Sequence, residues 1–160
     1  MTLRVAINGY GRIGRNVLRA YFENGADPAL QFVAINDLGD AEALAHLTRY
    51  DSTHGRFAGK VSLTGNMLDI NGHAIRLFSM PAPERLPWAE LDVDVVLECT
   101  GQFRARAEAA RHLQAGAKKV IIGAAPFDEV DATLVFGVNH DTVQAEHCIL
   151  SSVSCTTHAR

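Results

Sequence analysis

Apolar residues in this chain come in short blocks of two periods, and the order of the blocks predicts the fold. Val5-Ala6-Ile7 is a continuous apolar run of strand length. From Arg12 to Asn24 the apolar positions Ile13, Val17, Leu18 and Tyr21 recur every three to four residues, predicting a helix that buries that face. Gly25 to Pro28 breaks it, and Phe32-Val33-Ala34-Ile35 is a second strand closed by Asn36-Asp37. A second helix is expected from Asp40 to about Arg49, with Asp40 as its cap and Leu44 and Leu47 facing inward.

The middle of the chain changes character. Val61–Leu63, Met67–Ile70 and Ala74–Phe78 are short strands, and Asn71-Gly72 between the last two suits a two-residue hairpin whose positions both want positive φ. Val93–Glu98 returns to a buried strand, followed by a helix from Arg104 to about Gln114 that Gly116 stops. Val120–Ile122, Thr133–Phe136 and Cys148–Leu150 read as three more strands. Strand–helix–strand units force parallel strands joined by right-handed crossovers. The expected fold class is therefore α/β: a doubly wound, mainly parallel sheet with an antiparallel hairpin insertion, in one domain over residues 1–160.

Composition narrows this little but excludes much. The chain has 160 residues, 48% hydrophobic and 21% charged, as in globular proteins rather than disordered ones. A formal net charge of −3 and no basic block give a nucleic acid or an anionic membrane nothing to bind. The longest apolar runs are strand-sized, and the first strand starts too early for a secretory leader. Three cysteines, Cys99, Cys148 and Cys155, are an odd count without paired spacing, which fits a reducing cytoplasm better than an oxidising compartment. The seven histidines lack metal-ligand spacing, so no metal is expected. Arg104, Arg106 and Arg111 make either a phosphate patch or, more simply, a solvated helix face.

The chemistry concentrates in two stretches. In Ile7-Asn8-Gly9-Tyr10-Gly11-Arg12-Ile13-Gly14-Arg15, three glycines follow a strand and open a helix. Gly9 would permit the bend, Gly11 would let backbone approach a pyrophosphate, and Gly14 would let helix pack on sheet. The helix start near Arg12 would aim free N–H groups and its positive dipole end at phosphates. Asp37 lies 23 residues past Gly14, at the end of the second strand. There a carboxylate could accept both ribose hydroxyls and repel a 2′-phosphate, which favours NAD over NADP. The competing role for Asp37, capping the next helix, is open to Asp40 instead.

The second stretch is Ser151-Ser152-Val153-Ser154-Cys155-Thr156-Thr157-His158. Cys99 and Cys148 sit in apolar strands, where a thiol is usually a small buried hydrophobe. Cys155 sits among hydroxyl residues where a helix could begin, a setting that stabilises a thiolate; an ordinary thiol in a serine-rich turn is the alternative.

Together "AINGYGRIGR", "VAINDLGD", "YDSTHGRF", "VDVVLECTG", "AGAKKVII", "FGVNH" and "SCTT" resemble the phosphorylating glyceraldehyde-3-phosphate dehydrogenases in residue content and order, along essentially the whole chain. The bacterial erythrose-4-phosphate dehydrogenases share these landmarks. The resemblance implies a Rossmann-type NAD-binding domain, with the family's second, catalytic domain absent from this chain. It implies Cys155 as the nucleophile toward an aldose-phosphate aldehyde, with Ser154 and Thr156 bordering the substrate. Arg12 and Ile13 would meet the pyrophosphate, Asp37 the ribose, and Thr100 and Gly101 the cofactor from the far side. A homotetramer in the cytoplasm is implied for the full-length protein. Three departures stand out. Ser152 and His158 replace two asparagines of the family pattern, Pro81 stands near a position where many relatives have an arginine against the adenine, and Gly123-Ala124 lacks a serine. A non-catalytic nucleotide-binding module is the competing reading from another class. His158 shares a helix face with Cys155 if one helix carries both.

Overall fold

The computed structural model describes residues 1–152. A strand pair within 50–56 and two short 3₁₀ turns add to the elements expected from the sequence, and among these residues lie eleven strands and three α-helices in all. They are β1 (Leu3–Asn8), α1 (Arg12–Glu23), β2 (Leu30–Asn36), α2 (Ala41–Arg49), β3 (Tyr50–Asp51), β4 (Gly55–Arg56), β5 (Val61–Thr64), β6 (Met67–Ile70), β7 (His73–Phe78), β8 (Val95–Glu98), α3 (Arg106–Gln114), β9 (Lys119–Ile122), β10 (Ala132–Thr133) and β11 (Ile149–Ser151). Nine of the strands form one sheet in the order β10-β11-β9-β8-β1-β2-β7-β6-β5, parallel from β10 to β7. In this sheet β6 alone is reversed, pairing antiparallel with β7 on one side and β5 on the other, and β3 and β4 form a separate antiparallel pair.

The chain starts at β1, builds outward through β2 to β7, then returns to lay β8 on the other side of β1. That reversal leaves a crevice at the carboxyl ends of β1 and β8, where such sheets bind ligands. Strand alternation divides the core. Val5 and Ile7 of β1 pack with Leu18 and Phe22 of α1 and Leu44 of α2 on one face. Ala6 packs with Val96, Trp88 and Ala115 on the other. Each fully buried Leu or Ile contributes roughly 1.5–3 kcal/mol.

The Asn71-Gly72 hairpin forms with φ of 53° and 86°, and Ile70 pairs with His73 across it. It is no detached insertion: β7 also pairs in parallel with β2, so the hairpin lengthens the main sheet.

Three expectations need correction. First, α1 does not bury the Ile13–Val17 face: Ile13 is 52% exposed and Val17 37%. The line Gly14–Leu18–Phe22 turns inward, carrying Arg15 and Arg19 with it. Each guanidinium reaches the β3–β4 hairpin through its terminal nitrogens, Arg15 to the Asp51 carboxylate at 3.2 Å and Arg19 to the Gly55 carbonyl at 3.0 Å, while the Nε of each stays buried without a hydrogen-bond partner among the described residues. Second, Leu47 is 39% exposed while Leu44 is buried. Third, Thr133–Phe136 pairs only at its start, in β10. The Asn139 side chain takes the Val135 N–H and donates to the Thr133 carbonyl, and this local pairing replaces the ladder. Phe136 is left 84% exposed against the His140 ring. Val93 and Arg104 also fall just outside the strand and helix assigned to them.

Candidate functional site

The glycine turn joins β1 to α1 over the crevice. Gly9 has φ +90°, and a Cβ there would lie 2.6 Å from the Thr100 amide nitrogen. A Cβ on Gly14 would lie 2.2 Å from the Gly9 carbonyl and 2.8 Å from Cγ2 of Ile7. Both glycines are thus required by close packing, Gly9 against the chain leaving β8 and Gly14 against β1. Gly11 differs. A Cβ on it would meet nothing within 4 Å, so its open side is available to a ligand.

Gly11 is also the N-cap of α1 and has no side chain to close the helix end. The first intrahelical bond runs from Arg15 N–H to Gly11 O, at 3.0 Å. The amides of Arg12 and Ile13 precede it and point out of the helix end, as helix geometry requires. The Arg12 and Ile13 side chains are both exposed.

Asp37 belongs to this turn. Its Oδ2 accepts the Tyr10 amide at 2.7 Å and its Oδ1 the Gly39 amide at 2.8 Å. The helix cap is Asp40, which accepts the Ala43 amide at 3.1 Å. A carboxylate has about four acceptor positions, so Asp37 keeps room for two more donors. The Tyr10 ring, buried and bonded to Thr48 at 2.9 Å, anchors the turn from behind; burial pushes its phenol up to about 12.

Between these groups lies a cleft of about 300 Å³, lined by Gly9, Gly11 and Asp37, with Leu38, Met80 and Pro81 on one wall and Thr100 and Phe103 on the other. Gly101 follows Thr100 in a tight turn with φ +74°. The set suits a dinucleotide: an open glycine flank, helix amides at the start of α1, an acid in the lining and apolar walls for a base. Thus Gly9, Gly11, Asp37 and Thr100 line one crevice, and Arg12, Ile13, Gly14 and Gly101 adjoin them in the chain without being among its lining residues. Ser154, Cys155, Thr156 and His158 lie outside the described residues.

The arginine cluster is not a free anion site. Arg104 bonds the Ala125 carbonyl and lies over the Phe127 ring; Arg106 pairs with Asp131 at 2.6 Å and Arg111 with Glu84 at 2.7 Å. Cys99 and Cys148 flank their strands rather than lying inside them. Burial, then the neighbouring Glu98, pushes the Cys99 thiol up to about 12, so it is no nucleophile. No helix among the described residues is long and apolar enough to cross a membrane.

Residues 3–106 match the family described as glyceraldehyde 3-phosphate dehydrogenase, NAD binding domain. The chain belongs to that family, and NAD is its cofactor. It is 56% and 55% identical to the plasmid and chromosomal glyceraldehyde-3-phosphate dehydrogenases of Cupriavidus necator, and 54% identical to that of Pseudomonas aeruginosa. Each match covers 99% of this chain and 47% of the relative, so the chain spans about half the length of the curated relatives it matches.

Sequence reasoning passed over a buried polar group beneath the cleft. Asn8, Asn36 and Glu98 end β1, β2 and β8, with exposures of 2%, 4% and 2%. They are aligned neighbours, Asn36 paired with Asn8 and Asn8 with Glu98. The signal was present: "VAIN" occurs at 5–8 and again at 33–36, a polar residue ending an apolar strand each time.

Proposed function

We propose that the 9–14 turn, Asp37 and the Thr100–Gly101 turn hold NAD, with this chain the cofactor half of an enzyme that oxidises the aldehyde of a phosphorylated sugar. The observation that carries the reading is the contrast among the glycines: two are packed shut, and the third faces open space beside two unpaired amides. The amides of Arg12 and Ile13 and the helix dipole suit a pyrophosphate. The remaining acceptor positions of Asp37 suit the ribose diol, and its charge disfavours a 2′-phosphate. The walls at Leu38, Met80, Pro81 and Phe103 offer the adenine an apolar slot with no arginine at position 81.

NAD, when bound, supplies the hydride acceptor. Cys155 would attack the aldehyde carbon as thiolate, its S–C bond forming as the carbonyl oxygen takes the electron pair, and Ser154 and Thr156 would flank the substrate. Support for these three is the resemblance of the "SCTT" stretch. Glyceraldehyde 3-phosphate is the substrate we favour, since the relatives carry that name; erythrose 4-phosphate is the second. A homotetramer in the cytoplasm is the setting the family resemblance suggests. Calorimetry tests the cofactor assignment: NAD should bind this chain with heat and NADP much more weakly. Equal binding of both, or of neither, overturns it.

A further inference from the structure

The floor of the cleft is one continuous hydrogen-bonded chain in which each group forces the orientation of the next. Asn36 begins it. Its Oδ1 accepts the Met80 amide at 2.8 Å and its Nδ2 donates to the Met80 carbonyl at 2.9 Å, so the amide cannot be turned over. The second Nδ2 hydrogen goes to Oδ1 of Asn8 at 2.7 Å. Asn8 must therefore point its own Nδ2 the other way, toward Oε2 of Glu98 at 2.6 Å.

A second chain arrives from below. The indole N–H of Trp88, a donor only, lies 3.0 Å from Nδ1 of His112. That nitrogen is therefore bare, the ring proton sits on Nε2, and Nε2 donates to Oε2 of Glu98 at 2.7 Å. Trp88 and His112 are fully buried at 0% exposure. On the cleft side, Oε1 of Glu98 accepts the Thr100 amide at 3.0 Å and the Thr100 hydroxyl at 2.5 Å. Four donors from three directions thus meet one carboxylate. That number satisfies its four acceptor positions and offsets the cost of burying it.

We propose that Glu98 is a positioning residue for the cofactor cleft, an acceptor-only junction that ties its Thr100 wall to its Met80 wall through Asn8 and Asn36, with the neutral Nε2–H form of His112 locked beneath. This deepens the reading that the cleft holds NAD and rests on it. Glu98 acts through Thr100 and Asn8, not by touching the cofactor. The substitution that isolates its role is Glu98→Gln, which keeps the shape. A glutamine has one acceptor oxygen and one donor nitrogen. One orientation points its –NH₂ at Asn8 Nδ2 and His112 Nε2, which only donate; the other points it at Thr100, whose hydroxyl can turn to accept but whose amide N–H then loses its acceptor. His112 cannot answer by moving its proton to Nδ1, because the Trp88 indole occupies that side.

The test titrates NAD into the unsubstituted chain, Glu98→Gln, Thr100→Val and the double variant, and records the His112 ring nitrogens of the unsubstituted chain by NMR. Expected are a tenfold or greater rise in the NAD dissociation constant for Glu98→Gln and a smaller rise for Thr100→Val. The double variant should be no weaker than Glu98→Gln alone, because residues acting in series are not additive. His112 should show a protonated Nε2 and a bare Nδ1. Equal affinity in Glu98→Gln, additive effects in the double variant, or a proton on Nδ1 overturns the positioning role while the NAD reading stands. An unsubstituted chain that takes up no NAD overturns that reading and the proposal with it. If Glu98→Gln does not fold, Asn36→Ser at the other end of the chain replaces it, with the same tenfold loss expected and unchanged affinity the overturning result.

Discussion

The Asp37 carboxylate lies 2.7 Å from the amide nitrogen of Tyr10, so the acid that closes β2 also holds the turn that follows β1. One side chain therefore fixes the glycine turn, and on the proposed reading it also presents the ribose acceptor. Asp37→Gly removes both. We predict weaker NAD binding and a narrowed preference for NAD over NADP, measured as the ratio of the two dissociation constants. The lost bonds to Tyr10 and Gly39 should cost about 1–2 kcal/mol of stability. An unchanged ratio would remove Asp37 from the ribose.

The glycines of the turn should separate stability from binding. Gly14→Ala sets a methyl against the Gly9 carbonyl and Ile7, and overpacking of this kind costs on the order of 3 kcal/mol. In a chain of this size that lowers Tm by roughly 6–12 °C. Gly11→Ala adds its methyl to open space at a negative φ, so Tm should hold while NAD affinity falls. Thermal melts with and without NAD distinguish the two.

Acid should loosen the far edge of the sheet. Asp131 accepts the amides of Ile149 and Cys148 and pairs with Arg106, and these bonds, that of Ile149 foremost, hold its carboxyl down at about 2. A carboxyl whose folded pKa is depressed stabilises the fold above its unfolded value, near 4, and loses that contribution as pH falls toward 2. Asp131→Asn should therefore be less stable at neutral pH. Its stability should also decline less steeply than that of the unsubstituted chain between about pH 4 and 2. Denaturant titrations at stepped pH measure both slopes.

Thiol chemistry should be selective. With the Cys99 thiol at about 12, iodoacetamide near neutral pH should leave it unmodified. Mass spectrometry of the peptides should find the fast label on Cys155, and Cys155→Ser should abolish it. Fast labelling at Cys99 would contradict the burial argument.

Most of the fold was legible because its signals are local. The β1–turn–α1 unit, the Asn71-Gly72 hairpin and the Asp40 cap each depend on residues within a few positions of one another. The inward face of α1 was not, because Arg15 and Arg19 find their partners on β3–β4, some 36 residues away. Periodicity counts such arginines as solvent-facing. The junction at Glu98 escaped for the same reason: Asn8 and Glu98 lie 90 positions apart, and only the parallel pairing of β1 with β8 brings them together. The place of Asp37 at the end of β2 is legible from spacing, but its bond to Tyr10 is a tertiary fact that no spacing announces.

The most direct test of the account is a crystal structure of this chain saturated with NAD. It should place the pyrophosphate on the amides of Arg12 and Ile13 beside Gly11, and the adenosine ribose hydroxyls against Asp37. A cofactor bound elsewhere, or a cleft without cofactor density at saturating NAD, would contradict it.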